Sequence, residues 1–432
     1  MRAIVHSGVI ATLLLSVAWA APQGDEHEGH DHGPHTADHH HHYHHGPDEP
    51  HPPHEGPESN ILRDSNAEFS FALFKKLSSS VTEPQANVFF SPLSISMALS
   101  MLALGAKADT FSQLYQALGY GEMTPEAVNV AYEHIAHMLD HEKQDMTLDV
   151  SNAVALRDGA KVVDKFLADA KHYFESEPFT VDFTKPESAR EEINKHIAQQ
   201  TNNTITDMVK EVDPDTLMML INCIYFRGEW EKLFTAKHTK AADFHVAQDR
   251  KVTVDMMQSE GVYQLYKDAE NFTTVLRIPY KGSASMIVVL PDEGKMKEVE
   301  DSMSAHHLLH WVGAMKNTPL TLRMPKYNIS GTYSLKDTLQ AMGVNNAFSD
   351  EADFSGMTSE AVKVSKVEHQ AVLKVNERGS EAAAATTVEI ILRVAMPSFT
   401  TIELNRPFFL FITDRHTQTI LFMGKISNPT SK

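Results

Sequence analysis

Asn87-Val88-Phe89-Phe90-Ser91-Pro92-Leu93-Ser94-Ile95, followed by Leu104-Gly105-Ala106-Lys107, is the stretch on which the reading of the chain turns. From residue 94 to residue 118 apolar side chains recur at helical spacing, and residues 66–80 repeat the pattern through Phe69, Phe71, Ala72, Leu73 and Leu77. Both segments are predicted helices. Residues 217–226, 275–278, 285–290 and 408–411 are β-branched or aromatic runs bounded by breakers, which predicts buried strands. Helices early and strands late predict an α+β fold. No internal repeat and no Gly/Ser linker divides the chain after Asn60, so residues 61–432 are read as one domain.

Toward the amino terminus the composition changes. Residues 1–20 carry Arg2, an apolar stretch over 9–17 and the small-residue pattern Ala18-Trp19-Ala20, which together predict a cleavable signal peptide. That stretch is too short to span a bilayer, and no later one approaches the roughly 20 apolar residues a membrane helix needs. The expected location is secreted, in a plasma-like extracellular fluid. Residues 21–60 hold twelve His, nine Asp or Glu and no Lys or Arg. With almost nothing to bury, they cannot offset their ordering entropy and are expected to form a disordered, acidic tail. Within it His39, His40, His41, His42, His44 and His45 offer imidazoles that suit zinc or copper, in a spacing that fixes no geometry. Weak, exchangeable metal binding and a solvated tail without a specific ligand both fit.

Cys223 is the single cysteine, so no internal disulfide exists and stability must come from a large core. A composition 42% hydrophobic supplies one. The apolar run around Cys223 fits a buried, inert thiol better than a reactive one. A formal charge of −19 argues against general affinity for nucleic acid or anionic membranes, because both need a positive field. Residues 127–149 are mixed to acidic and bear histidines, which disfavours a heparin helix there.

The opening stretch resembles the helix-B signature of the serpin family, and further serpin-like motifs follow in the family's order. They are Asn222 ahead of Phe226-Arg227-Gly228-Glu229-Trp230, then Leu290-Pro291-Asp292-Glu293-Gly294, then His369 ahead of Glu377-Arg378-Gly379-Ser380-Glu381. Asn405-Arg406-Pro407-Phe408 and Phe422-Met423-Gly424-Lys425 complete the set. The likeness covers everything after the tail and is nearest to the antitrypsin-like, extracellular branch (clade A type). It implies a serpin fold of about nine helices and three β-sheets, with an exposed C-terminal reactive centre loop over about 377–404. It also implies a monomer without cofactor, whose partner is a trypsin-like serine protease held in a covalent complex and which is itself no enzyme.

Residues 380–391 begin Ala-rich, which suits a helix, and end in strand formers. Extended, they place Ser380, Ala382, Ala384, Thr386, Val388 and Ile390 on one face. Both Glu381 and Glu389 fall on the other. Such parity suits a segment that slides between existing strands, one face entering a packed core. Gly379, Ser380, Ala382, Ala383, Ala384 and Ala385 form the small hinge that the resemblance requires for insertion. Counting forward sixteen places from Glu377 reaches Arg393, so the expected reactive bond is Arg393–Val394. A guanidinium there suits the acidic specificity pocket of trypsin-like proteases. Leu392 would invite chymotrypsin-like enzymes instead. Counting backward from Asn405 points to Met396, which precedes Pro397 and makes a poor substrate bond.

The resemblance assigns Ser91, Ser94, Asn222 and His369 to a polar cluster beneath the central strands. It assigns Glu377 and Lys326 to a charge pair near Trp230, where insertion begins. Asn202, Asn271 and Asn328 head glycosylation sequons, with Asn202 and Asn271 expected to be exposed and Asn328 placed beside a strand. Two other functions remain open: a non-inhibitory serpin carrying small hydrophobic hormones, and a metal-binding protein working through its His-rich tail.

Overall fold

The computed structural model describes residues 61–83, 85–141, 146–176, 178–380 and 399–431, all within the unit Pro53–Lys432. The signal peptide, the His-rich tail, Ala382 to Ala385, Leu392, Arg393, Val394 and Met396 lie outside the described residues. α1 (Arg63–Ser80), β1 (Val88–Phe90), α2 (Pro92–Leu104), α3 (Ala108–Ala117) and α4 (Pro125–His141) come first. β2 (Met146–Arg157), α5 (Asp164–Phe174), β3 (Phe179–Val181), α6 (Pro186–Gln200) and β4 (Met218–Glu229) follow. Next are β5 (Lys240–Ala247), β6 (Arg250–Asp268), β7 (Thr273–Pro279), β8 (Ala284–Pro291), α7 (Met296–Ser302) and α8 (Ala305–Ala314). β9 (Lys316–Pro325), β10 (Tyr327–Ser334), α9 (Lys336–Ala341), β11 (Lys366–Val375), β12 (Gly379–Ser380), β13 (Thr400–Glu403), β14 (Phe408–Asp414) and β15 (Ile420–Ile426) complete the chain.

The helical pattern predicted over 94–118 is split in two. α2 starts at a local cap: the Ser91 hydroxyl accepts from the Ser94 N–H at 3.2 Å, and Pro92 occupies the first helical turn. It ends at Gly105, where a Cβ would lie 2.5 Å from the Met357 Cβ. The Gly105 carbonyl accepts from the Gly356 N–H at 3.1 Å, and the Lys107 N–H donates to the Asp353 carbonyl at 2.9 Å. Backbone groups that would have continued the helix are thereby paired with residues 353–356.

The central sheet runs β10-β11-β4-β2-β3, with β12 added on β4. β11 lies parallel to β4, while β2 and β10 are antiparallel to their partners β4 and β11. The other strands form one continuous network, β1-β15-β14-β8-β7-β6-β9-β13, with β5 on β6. The second and third sheets implied by the resemblance are joined because β6 is unbroken over 19 residues. Its first part pairs with β5, and the remainder with β9 and β7.

Residues 218–226 of β4 are all buried, as expected of a strand covered on both faces. On one face Leu220, Ile224 and Phe226 join the main core with α2; on the other Ile221 and Cys223 meet Ile193 and Ile197 of α6. Cys223 is fully buried, and burial pushes its thiol up to about 12, so it is inert. Among the described residues no helix is long and apolar enough to cross a membrane.

Candidate functional site

Two polar clusters lie along β4, one beneath its middle and one at its end. In the first, register sets Asn222 of β4 between His369 of β11 and Asn152 of β2. The His369 Nε2 accepts the Ser91 N–H at 3.2 Å, which leaves the proton on Nδ1 to be donated to the Asn222 Oδ1 at 2.5 Å. That oxygen also accepts from the Ser94 hydroxyl at 2.9 Å. The Asn222 amide donates to the Asn152 Oδ1 at 2.6 Å and to the Ser94 carbonyl at 3.1 Å. Ser91 donates to the Leu421 carbonyl at 2.6 Å, tying the cluster to β15. The Tyr333 ring stacks over His369 at 6.3 Å, and its hydroxyl accepts the Phe89 N–H at 3.0 Å.

Burial lowers the His369 pKa to about 3, with the hydrogen bond to Asn222 pulling weakly the other way. The folded protein holds this imidazole neutral, whereas the unfolded chain takes up its proton near the ordinary value of about 6.5. Its contribution to stability is therefore complete above pH 6.5 and is lost as pH falls from there toward 3. By pH 5 the loss amounts to about 2 kcal/mol. Denaturant titrations at pH 7 and pH 5 are expected to show that much extra loss in the parent relative to His369→Gln. Equal losses would remove His369 from the account.

At the end of β4, Trp230 anchors the second cluster. Its indole N–H donates to the Asn376 carbonyl at 3.0 Å, its backbone N–H donates to the Arg378 carbonyl at 2.7 Å, and the Phe234 N–H reaches the Glu377 carbonyl at 2.8 Å. The Trp230 ring stacks on Tyr280 at 4.2 Å. Glu377 pairs with Lys326 at 3.2 Å and accepts from the Thr239 hydroxyl at 2.8 Å. Burial opposes ionisation of Glu377, but its own N–H, Thr239 and Lys326 outweigh burial and hold the carboxyl below its ordinary pKa.

β11 accompanies β4 only as far as Val372 opposite Tyr225, while β2 occupies the other edge up to Gly228. Above that point Gly379 and Ser380 take the edge β11 has left, antiparallel to Glu229 and Gly228. The fit is tight. Gly379 adopts φ 146°, and a Cβ there would lie 2.0 Å from the Gly228 carbonyl oxygen. Ser380 is 0% exposed, and its hydroxyl meets that of Tyr280 at 3.1 Å. Burial lifts the Tyr280 pKa well above its ordinary value, so the phenol stays protonated.

A family model described as serpin (serine protease inhibitor) matches residues 64–429. This chain belongs to the serpin family. An alpha-1-antitrypsin homolog of Cyprinus carpio is 50% identical over 81% of this serpin and 94% of its own length. An alpha-1-antitrypsin-like protein of Tamias sibiricus is 38% identical over 88% and 91% respectively. Among solved structures, human thyroxine-binding globulin and human kallistatin match with TM-scores of 0.82 and 0.80. Each is 34% identical and covers 87% of this serpin and all of its own chain. This serpin is thus antitrypsin-like, of a family of protease inhibitors.

The structure brings Ser91, Ser94, Asn222 and His369 together, and likewise Trp230, Lys326 and Glu377. Asn152, Tyr333, Tyr280 and Thr239 were missed by the sequence reading. Asn152 had a local signal, since alternation within 146–157 places it on the same face as its buried neighbours Val154 and Leu156. The sequons rank differently from expectation. Asn202 is exposed and so is Asn328, which alternation turns outward from β10. Asn271 is half-buried, and its amide donates to the Asp268 carboxylate at 2.7 Å.

Proposed function

We propose that this serpin is a secreted suicide-substrate inhibitor of trypsin-like serine proteases. The observation that carries the reading is the buried pair Gly379–Ser380 on the edge of β4, with β4 and β11 joined directly below it. The protease serine adds to the Arg393 carbonyl carbon, and the Val394 amine leaves with a proton supplied by the protease histidine, so that an ester remains. Freed at that end, residues 381–392 separate β11 from β4 and continue the strand that β12 begins. The polar cluster around Asn222 lies where those two strands must part, and a network of this kind has alternative pairings available. The tethered protease is carried away and deformed. A displacement of about 1 Å in catalytic geometry costs on the order of a hundredfold in rate, so the ester outlives the encounter.

Mixing the protein with trypsin should give an adduct of summed mass that survives SDS and boiling. Clean cleavage without adduct would refute inhibition by trapping. The likeness to thyroxine-binding globulin keeps a hormone-carrier reading in view, but a carrier would tolerate bulky hinge residues where this chain has Gly379, Ser380 and Ala382 to Ala385, and it would form no adduct. Zinc titration of intact and tail-deleted protein separates any metal binding by His39 to His45 from inhibition.

Glu377→Lys sets two ammonium groups beside Thr239 in place of the pair with Lys326. An exposed pair is worth only about 0–1 kcal/mol, but this one holds the turn that leads into β12. Warming the variant is expected to convert monomer into loop-sheet polymers on size exclusion, by strand addition at the vacated edge. An unchanged monomer fraction would count against that role for Glu377.

A further inference from the structure

A cleft of about 680 Å³ opens between α1, α3 and the turn after α9, on elements that take no part in either polar cluster. Its volume is that of a small-molecule site. Ala72 of α1, Ala117 of α3 and Met342 supply apolar lining, and Lys75 and Lys76 of α1 line it beside them. No Asp or Glu lines it, in a chain of net charge −19. Among the described residues neither lysine pairs with a carboxylate, so both ammonium groups are available to a ligand. Another cavity, about 640 Å³, differs: Asp149 and Glu175 line it beside Lys171, so carboxylates oppose an anion there.

One wall of the lysine cleft is fixed in advance. The Gln113 side-chain Oε1 accepts the N–H groups of Asn345 and Asn346, both at 2.8 Å, and its Nε2 donates to the Asn346 Oδ1 at 3.0 Å. α3 is thereby fastened to the turn beyond Met342, and a ligand need not organise that wall.

We propose that this cleft binds a small amphiphilic anion, its apolar body on Ala72, Ala117 and Met342 and its anionic head against Lys75 and Lys76. A carboxylate and a sulfate share that chemistry. The inference is independent of the inhibitory reading, since no residue of the hinge contributes to it. Calorimetric titration of the purified protein with decanoate, decyl sulfate and decanol, each below micelle-forming concentration, tests it. One saturable site for an anion is expected, with decanol weaker by about tenfold or more, as loss of a charge-assisted contact requires. Preference for decanoate over decyl sulfate, or the reverse, identifies the head group.

Lys75→Ala combined with Lys76→Ala should weaken the anion by about tenfold or more. Ala72→Trp should abolish binding by placing an indole in the space the apolar body would occupy. All three positions are exposed, so unfolding temperatures should remain at the parent value. Equal binding of decanol, full affinity in either variant, or no saturable site would overturn the proposal.

Discussion

Replacing Ser380 by arginine is expected to turn the protein from a trap into a substrate. Ser380 is wholly buried against Tyr280, beside a glycine with no room for a Cβ. A guanidinium cannot occupy that space without displacing the Trp230–Tyr280 stack, and burying its charge costs several kcal/mol. Only about 1.4 kcal/mol added to the insertion barrier slows insertion tenfold, whereas hydrolysis of the ester is untouched. The partition therefore swings to hydrolysis. Titration of trypsin should require at least about ten times more Ser380→Arg protein per enzyme inactivated, and gels should show cleaved protein in place of adduct. Trapping at the parent stoichiometry would contradict insertion through this point.

Arg393→Leu is expected to act on recognition and leave trapping intact. A trypsin-like specificity pocket holds a buried carboxylate that leucine leaves unpaired, and sites built for such a partner reject its absence strongly. The rate of adduct formation with trypsin should fall on the order of a thousandfold or more, while chymotrypsin should now be trapped. Sequencing the released fragment distinguishes the candidate bonds: Val394 as the new amino terminus supports Arg393, and Pro397 would point to Met396. Undiminished trapping of trypsin by the variant would place the reactive bond elsewhere.

The two variants separate what local sequence encodes from what only the fold assembles. Periodicity located α1 and β4 because each buries faces of its own, and ordered motifs assigned Asn222, His369, Trp230 and Glu377. The break at Gly105 was illegible, since it arises from Met357 and Gly356, far along the chain. Continuity of β6 was equally hidden, because the buried positions change parity where the strand changes partners, from Val254 and Met256 to Met257, Ser259 and Tyr263, so one strand reads as two. Tyr280 and Thr239 escaped notice for the same reason. Their partners Ser380 and Glu377 lie 100 and 138 residues away, and nothing in either neighbourhood marks the meeting.

The Asn271 sequon shows the limit in reverse. Its residues look like a surface turn, yet Asp268 draws the amide inward while also accepting from the buried Trp311 indole at 2.8 Å. A carboxylate serving a core residue thus reduces the accessibility of its neighbour, which composition alone does not reveal.

The seven residue pairs from Lys366–Met219 to Val372–Tyr225 join β11 to β4 with one ladder where an inserted strand would make two. Thermal unfolding of the protein before and after a single cut at Arg393–Val394 tests that difference most directly. A cleaved form that melts at a clearly higher temperature than the intact protein is the predicted result. A cleaved form that melts at the same temperature or below would mean that the severed segment gains nothing from the sheet, contrary to the mechanism.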